Sequence, residues 1–165
     1  MQKNNSKLFF QNHMPGNICF GCGKNTKEGL HIKSYWNGNN SECIWTPKEI
    51  HQGWSNIMNG GIIATLIDCH CMGTSMAYAY KSEERGLDSL PEYRYATGTI
   101  KVKYIFPTPN KTIKLIARIE SYSEKKVLLK CDLISDNAIT VQAEVLAFRV
   151  YDSNKTDNNE FVFRR

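Results

Sequence analysis

The sequence predicts an α+β protein in which one long buried helix is wrapped by a curved antiparallel sheet of about six strands. Three observations lead there. First, residues 59–80 are apolar on nearly every side, and Asp68 is the only formally charged residue between Glu49 and Lys81. A helix that is hydrophobic all round is surrounded by protein. Second, the hydrophobic period switches to two after residue 98, where Thr99, Lys101 and Lys103 alternate with Ile100, Val102 and Tyr104. Third, the order of elements is two strands, one helix and four strands. A single helix of this kind requires a curved sheet around it.

The elements follow in order. Residues 1–17 are polar apart from Leu8-Phe9-Phe10 and read as an N-terminal arm. Residues 18–30 are dense in glycine and turn formers. Two strands, His31–Trp36 and Glu42–Thr46, flank Asn37-Gly38-Asn39-Asn40, and Asn-Gly between such runs is a hairpin signal. Pro47 to Met58 reads as a loop. The helix is expected to begin at Asn59–Gly61, with Asn59 as its N-cap. Residues 82–94 form a polar connection. The strand after it stops at Pro107-Thr108-Pro109-Asn110. Strands Thr112–Tyr122, Lys126–Ser135 and Ala138–Tyr151 come next, joined by short turns at Ser123-Glu124 and Asp136-Asn137. From Asp152 the chain is polar. The organisation expected is an arm over 1–17, one domain over 18–151 and a tail over 152–165.

Composition narrows the function. The 165 residues are 41% hydrophobic and 22% charged, an ordinary globular balance. The net charge is +5, and part of it sits at the ends in Lys3, Lys7, Arg164 and Arg165. This modest surplus suits phosphate-bearing small molecules. A nucleic-acid surface needs a basic stripe with stacking aromatics, and here the basic residues are scattered. Asp68, His70, Asn59 and several hydroxyls argue against a membrane span over 59–80. The start, Met1-Gln2-Lys3-Asn4-Asn5-Ser6-Lys7, lacks the apolar stretch of a signal peptide. A cytoplasmic protein with free thiols is therefore expected for its six cysteines.

Asp68 carries the functional reading, because an unpaired carboxylate in apolar surroundings is costly. Gly60-Gly61 opens the same segment, so exposed backbone N–H groups and a carboxylate are encoded together. Helix N-terminal N–H groups lack intrahelical acceptors and carry the positive end of the dipole. They are suited to an oxyanion. A shielded carboxylate can take a proton from water or attack directly.

Several motifs recur together in one family: Cys19-Phe20-Gly21-Cys22-Gly23, Gly29-Leu30, His51-Gln52-Gly53-Trp54, Asn59-Gly60-Gly61 followed by Leu66-Ile67-Asp68, and Thr97-Gly98 with Tyr104 and Pro107. Over residues 18–150 the chain resembles a hotdog-fold thioesterase of the phenylacetate-pathway (PaaI-like) type. The resemblance implies a homodimer or dimer of dimers that hydrolyses acyl-coenzyme A thioesters without a cofactor. It implies that the Gly60 N–H polarises the carbonyl, that Asp68 is nucleophile or general base, and that Thr97 helps position the attacking water. Many relatives carry His-Gly-Gly where this chain has Asn59-Gly60-Gly61. Asn59 is expected to orient groups, because it cannot titrate near neutrality as His does. Gly61, His51 and Trp54 are expected at the substrate pocket.

Each residue also has a plainer reading. Asp68 could be held by a hydroxyl or by His70 for structural reasons, Gly60-Gly61 could serve close packing, and Thr97 could be an ordinary strand hydroxyl. Loop packing accounts for His51 and Trp54 equally well, and Lys101 and Lys103 are either a solvated face or a phosphate contact. Cys19-x-x-Cys22 invites a zinc reading, with Cys43, His31 or the Cys69-His70-Cys71 cluster completing a site, but a second cysteine pair at ribbon spacing is missing, so no metal is expected and a tight glycine turn is preferred. The rivals to hydrolysis are a hotdog hydratase or dehydratase, and a non-catalytic protein that binds acyl-CoA.

One constraint is geometric. Gly60 and Asp68 are eight residues apart, so a regular helix separates them by ~12 Å along its axis. A reacting atom must lie ~3 Å from both the oxyanion donor and the nucleophile or base. One helix cannot provide both, whereas two helices antiparallel across a two-fold axis can.

Overall fold

The computed structural model describes residues 7–155. Six strands form one antiparallel sheet: β1 (Ser34–Asn37), β2 (Asn40–Trp45), β5 (Tyr93–Tyr104), β6 (Ile113–Tyr122), β7 (Lys126–Ser135) and β8 (Ala138–Asp152). Their spatial order is β1-β2-β6-β7-β8-β5. A separate two-stranded hairpin, β3 (Gln52–Trp54) and β4 (Ile57–Met58), leads into the one long helix, α1 (Gly60–Ser82). The expected architecture is present, with β5 at one edge of the sheet.

Alternation puts the core on one face. Leu115 and Ala117 of β6, Val127, Leu129, Cys131 and Leu133 of β7, and Val141, Ala143, Val145 and Ala147 of β8 are buried at every second position. They pack with Ile63, Leu66 and Ile67 of α1 in one cluster. The other face is polar, with Arg118 paired to Asp132 at 2.8 Å and Lys130 to Glu120 at 3.1 Å. The turn Asp136-Asn137 places both residues at positive φ, 47° and 63°, and Gly38 turns the first hairpin at φ 61°. Positive φ at two central residues matches the twist of a tight hairpin.

Every residue of α1 from Cys69 to Ala77 is buried. Sheet covers most of this half, and the lead-in segment covers more. Phe10 and Gln11, in a 3₁₀ turn over Phe10–His13, are completely buried. The Gln11 amide donates to Ser34 Oγ at 2.9 Å and accepts from the Ser34 N–H at 2.7 Å. Gly73 makes room for it, because a Cβ there would lie 2.6 Å from Gln11 Nε2. Phe10 and Gln11 thus anchor the expected arm on the domain. Residues 1–6 and 156–165, most of the expected tail included, lie outside the described residues.

Two local expectations change. Pro47 to Met58 is not a plain loop, since it holds a 3₁₀ turn at Glu49–His51 and the β3–β4 hairpin. Those strands are too short for alternation to register. β5 starts at Tyr93, earlier than the alternating pattern, and pairs along its whole length with β8. Two irregularities, at Arg94/Tyr95 and at Thr97/Thr99, break its period. Bulges bend a strand and re-aim its side chains. At the second of these, Gly98 lies under the Phe148 ring, and a Cβ would sit 2.2 Å from it.

Gly98→Val is expected to lower the unfolding free energy by about 1–3 kcal/mol through overpacking. Gly86→Ala, with nothing within 4 Å of the added Cβ, should stay within about 0.5 kcal/mol. Urea midpoints of the two variants beside wild type check the contrast; equal midpoints would contradict the packing described at Gly98.

Candidate active site

Local chemistry fixes the start of α1. The Asn59 side chain accepts from the Gly61 N–H at 2.8 Å and the Ile62 N–H at 3.2 Å. This is an N-cap that consumes two of the orphan donors. The Gly60 N–H donates to no group among the described residues, and as the first helical residue it has no intrahelical acceptor. Tyr104 Oη donates to the Gly60 carbonyl at 2.6 Å, tying the end of β5 to the start of the helix. The Asn59 N–H donates to the His51 carbonyl at 2.9 Å.

The other residues expected here divide. His51 braces the preceding turn: its Nδ1 accepts from the Lys48 N–H at 2.9 Å, and its ring lies 5.0 Å from that of Trp45. Burial, with Lys48 nearby, lowers its pKa. Trp54 lies on the β3–β4 hairpin with 83% of its surface exposed. Gly53 beside it packs on Asn59, where an added Cβ would come within 3.3 Å of Cα. These residues gather around the beginning of α1. Gly61 is there too, but its N–H is already taken by the cap.

Asp68 lies two turns further on. The Thr97 hydroxyl of β5 donates to Asp68 Oδ1. Burial raises the Asp68 pKa; the Thr97 hydrogen bond opposes that rise and the neighbouring Cys19 adds to it. A carboxylate of this kind is a stronger proton acceptor than a solvated one. Gly61, Ala64, Thr65 and Asp68 are all at least partly exposed and fall on one helical stripe. That stripe is only partly covered in the single chain. Because β5 meets α1 through Thr97 at Asp68 and through Tyr104 at Gly60, the strand runs antiparallel to the first half of the helix.

His70 does not hold Asp68. It is fully buried, with Nδ1 2.8 Å from Ser34 Oγ and Nε2 3.3 Å from Ser41 Oγ. Burial lowers its pKa to about 4, so it is neutral at physiological pH. The chain Gln11–Ser34–His70–Ser41–Thr74 satisfies these polar groups in the interior. Sequence spacing gave no signal for it, because its members come from four separate segments.

Beyond Thr97 towards the start of β5 lies a cavity of about 260 Å³, lined by Met14, Asn17, Ile18, Met76 and Tyr95 among others. Tyr95 and Thr97 are two residues apart in the strand, so the cavity begins close to the carboxylate. Also beside Asp68 is a group the sequence reading set aside. The sulfurs of Cys19, Cys22 and Cys69 lie within 4.8 Å of one another.

No protein-family model matches the sequence, and no curated protein matches it. Solved structures do. A thioesterase superfamily protein from Shewanella loihica is 29% identical, covering 70% of this chain and 88% of its own, with a TM-score of 0.57. A thioesterase from Haemophilus influenzae covers 78% of this chain and 84% of its own at 10% identity, with a TM-score of 0.63. The PaaI protein from the phenylacetic acid degradation operon of E. coli covers 74% and 82% at 9% identity, with a TM-score of 0.60. The architecture is that of the hotdog fold, and the thioesterase-superfamily likeness supports thioesterase chemistry in general. No helix among the described residues is long and apolar enough to cross a membrane.

The cap geometry makes a measurable statement. Asn59→Ala should destabilise by about 1 kcal/mol, as lost N-caps do, while Asn59→Asp keeps an acceptor and should hold wild-type stability. Thermal unfolding of the two variants checks this. An alanine variant as stable as wild type would contradict the assigned cap.

Proposed function

We propose that this chain, a hotdog-fold protein of the thioesterase superfamily, hydrolyses an acyl-coenzyme A thioester in sites shared between two copies of itself. The observation that carries the reading is the division of labour along α1. Asn59 occupies the Gly61 and Ile62 N–H groups, leaving Gly60 as donor, while Asp68 is held by Thr97 beyond hydrogen-bonding reach of it. The outer edge of β5 offers a twelve-residue strand for pairing with a second β5. Such pairing brings the partly covered stripes of two helices together in antiparallel order.

The reading assigns each residue a role. The substrate carbonyl oxygen accepts from the Gly60 N–H of one copy, where the helix dipole favours the developing negative charge. Thr97 holds Asp68 Oδ1 of the other copy, and Oδ2 is the oxygen assigned to act on the carbonyl carbon. As general base, Oδ2 takes a proton from water as its oxygen bonds to that carbon. The oxyanion collapses, the C–S bond breaks, and the thiolate leaves with the proton held by Asp68. As nucleophile, Oδ2 bonds to the carbon, the C–S bond breaks with release of the thiolate, and water then cleaves the resulting anhydride to the free acid and Asp68. Asn59 acts through the cap, and no cofactor enters either route. The cavity near Tyr95 and Met76 suits a small aliphatic or aryl acyl group. Lys103, exposed on β5, is available to a coenzyme A phosphate, whereas Lys101 already faces Glu144 at 3.6 Å. A hydratase route through His70 is disfavoured, because that ring is 0% exposed.

Thiol release from short, medium, long and aryl acyl-CoAs tests the reading, with Asp68→Asn and Thr97→Val beside wild type. Wild type should turn over at least one thioester. Asp68→Asn should lose ~10²–10⁴-fold, the range for a general acid or base, and Thr97→Val a smaller factor, chiefly in kcat. Acyl-CoA binding without turnover by wild type would put the binding-protein reading in its place. Full activity of Asp68→Asn would remove Asp68 from the chemistry.

A further inference from the structure

We propose that Cys19, Cys22 and Cys69 form a binding site for a soft divalent cation of the zinc type, adjacent to Asp68 but built from different residues. Two parts of the chain, 50 residues apart, build it. The Cys19-Phe20-Gly21-Cys22 loop lies over α1, and Cys69 projects from the helix to meet it. Gly21 permits this approach, since a Cβ there would stand 2.3 Å from Cys69 Sγ.

The spacing suits a metal. Cys19 Sγ and Cys69 Sγ are 3.6 Å apart, and no pair of the three sulfurs exceeds 4.8 Å. Tetrahedral thiolates at ~2.3 Å from zinc stand ~3.8 Å from one another. The widest pair therefore needs to close by at most about 1 Å. Donors are also in place for negative sulfurs. The Gly21 N–H donates to Cys19 Sγ at 3.3 Å, and Asn17 Nδ2 donates to Cys22 Sγ at 3.3 Å. Thiolates select soft cations over magnesium or calcium.

All three thiols are free. Cys22 and Cys69 are buried in the same apolar cluster as Cys43, Cys71 and Cys131, whereas Cys19 is exposed and leaves a route for the ion. Three sulfurs leave a fourth tetrahedral position to water or another small ligand, the arrangement of an open zinc site. The C-x-x-C motif lacks a second cysteine pair in sequence, and the helix provides the missing sulfur in space. This inference does not depend on thioester hydrolysis.

Cobalt(II) is the probe. The full-length chain, reduced and freed of metal by chelator, is titrated with Co²⁺ under anaerobic conditions. One equivalent should bind per chain, with thiolate-to-cobalt charge-transfer absorption and tetrahedral ligand-field bands, and Zn²⁺ should displace it. Cys69→Ser and Cys22→Ser should each abolish the charge-transfer band, and Cys131→Ala should keep it. Asn17→Ala should weaken binding ~10–100-fold, as loss of a supporting hydrogen bond does. Circular dichroism identifies which variants retain the fold, and either cysteine-to-serine variant that folds is sufficient. Absence of the band in reduced wild type at excess Co²⁺, or its persistence in a folded Cys69→Ser or Cys22→Ser chain, overturns the proposal.

Discussion

A helix without a polar face has to be enclosed, and the way α1 is enclosed sets the rest of this structure. Its second half, Cys69 to Ala77, is sealed by the sheet and by the docked Phe10–His13 turn. Its first half is sealed less completely, along the stripe that carries Gly61, Ala64, Thr65 and Asp68. The proposed association with a second copy would cover this stripe beside the outer edge of β5. On the proposed function, enclosure and catalysis make the same demand. The segment that needs covering is the one whose donor and carboxylate cannot meet within one chain.

The polar groups of the helix separate by depth. His70 is deep, neutral and fully hydrogen bonded, and it serves the interior with Ser34, Ser41 and Thr74. Asp68 sits at the boundary, one hydroxyl away from the sheet edge. The two residues stand two positions apart in the helix, so their side chains point about 200° apart around its axis. That rotation sends one side chain to the β1–β2 side and the other to β5. Burial sufficient to raise a carboxyl pKa, without enclosing it, is a setting in which a carboxylate can exchange protons with a substrate-bound water.

The sequence exposed the regular parts of this fold, and for a physical reason. In β6, β7 and β8 one face is buried and the other solvated, so period two is written plainly and β7 falls at the expected Lys126–Ser135. Asn59-Gly60-Gly61 announced the helix start because a cap and two side-chain-free residues have few other uses before an apolar run. The first part of β5 was hidden, since its two irregularities destroy alternation and its aromatic residues pack at the sheet edge. Gln11 and Ser34 gave no warning of their contact with each other, because it depends on how the lead-in crosses the helix. The sequence offers Cys43, His31 or the Cys69-His70-Cys71 cluster as partners for Cys19 and Cys22, and only the fold of the loop over α1 selects Cys69. Local chemistry was legible; coincidences of distant segments were not.

The central claim is that Gly60 of one copy and Asp68 of another act on one carbonyl, and subunit mixing tests it most directly. Gly60→Pro deletes the donor with little disturbance. Proline is favoured at the first helical position, Asn59 is already extended at φ −65° and ψ 132°, and a Cβ at Gly60 finds only ordinary contact with Tyr104 at 3.4 Å. Homodimers of Gly60→Pro and of Asp68→Ala are each predicted to be inactive. A purified heterodimer of the two should regain one intact site, and with it about half the wild-type activity, as counting intact sites requires. A verified heterodimer as inactive as its parents would contradict the shared site.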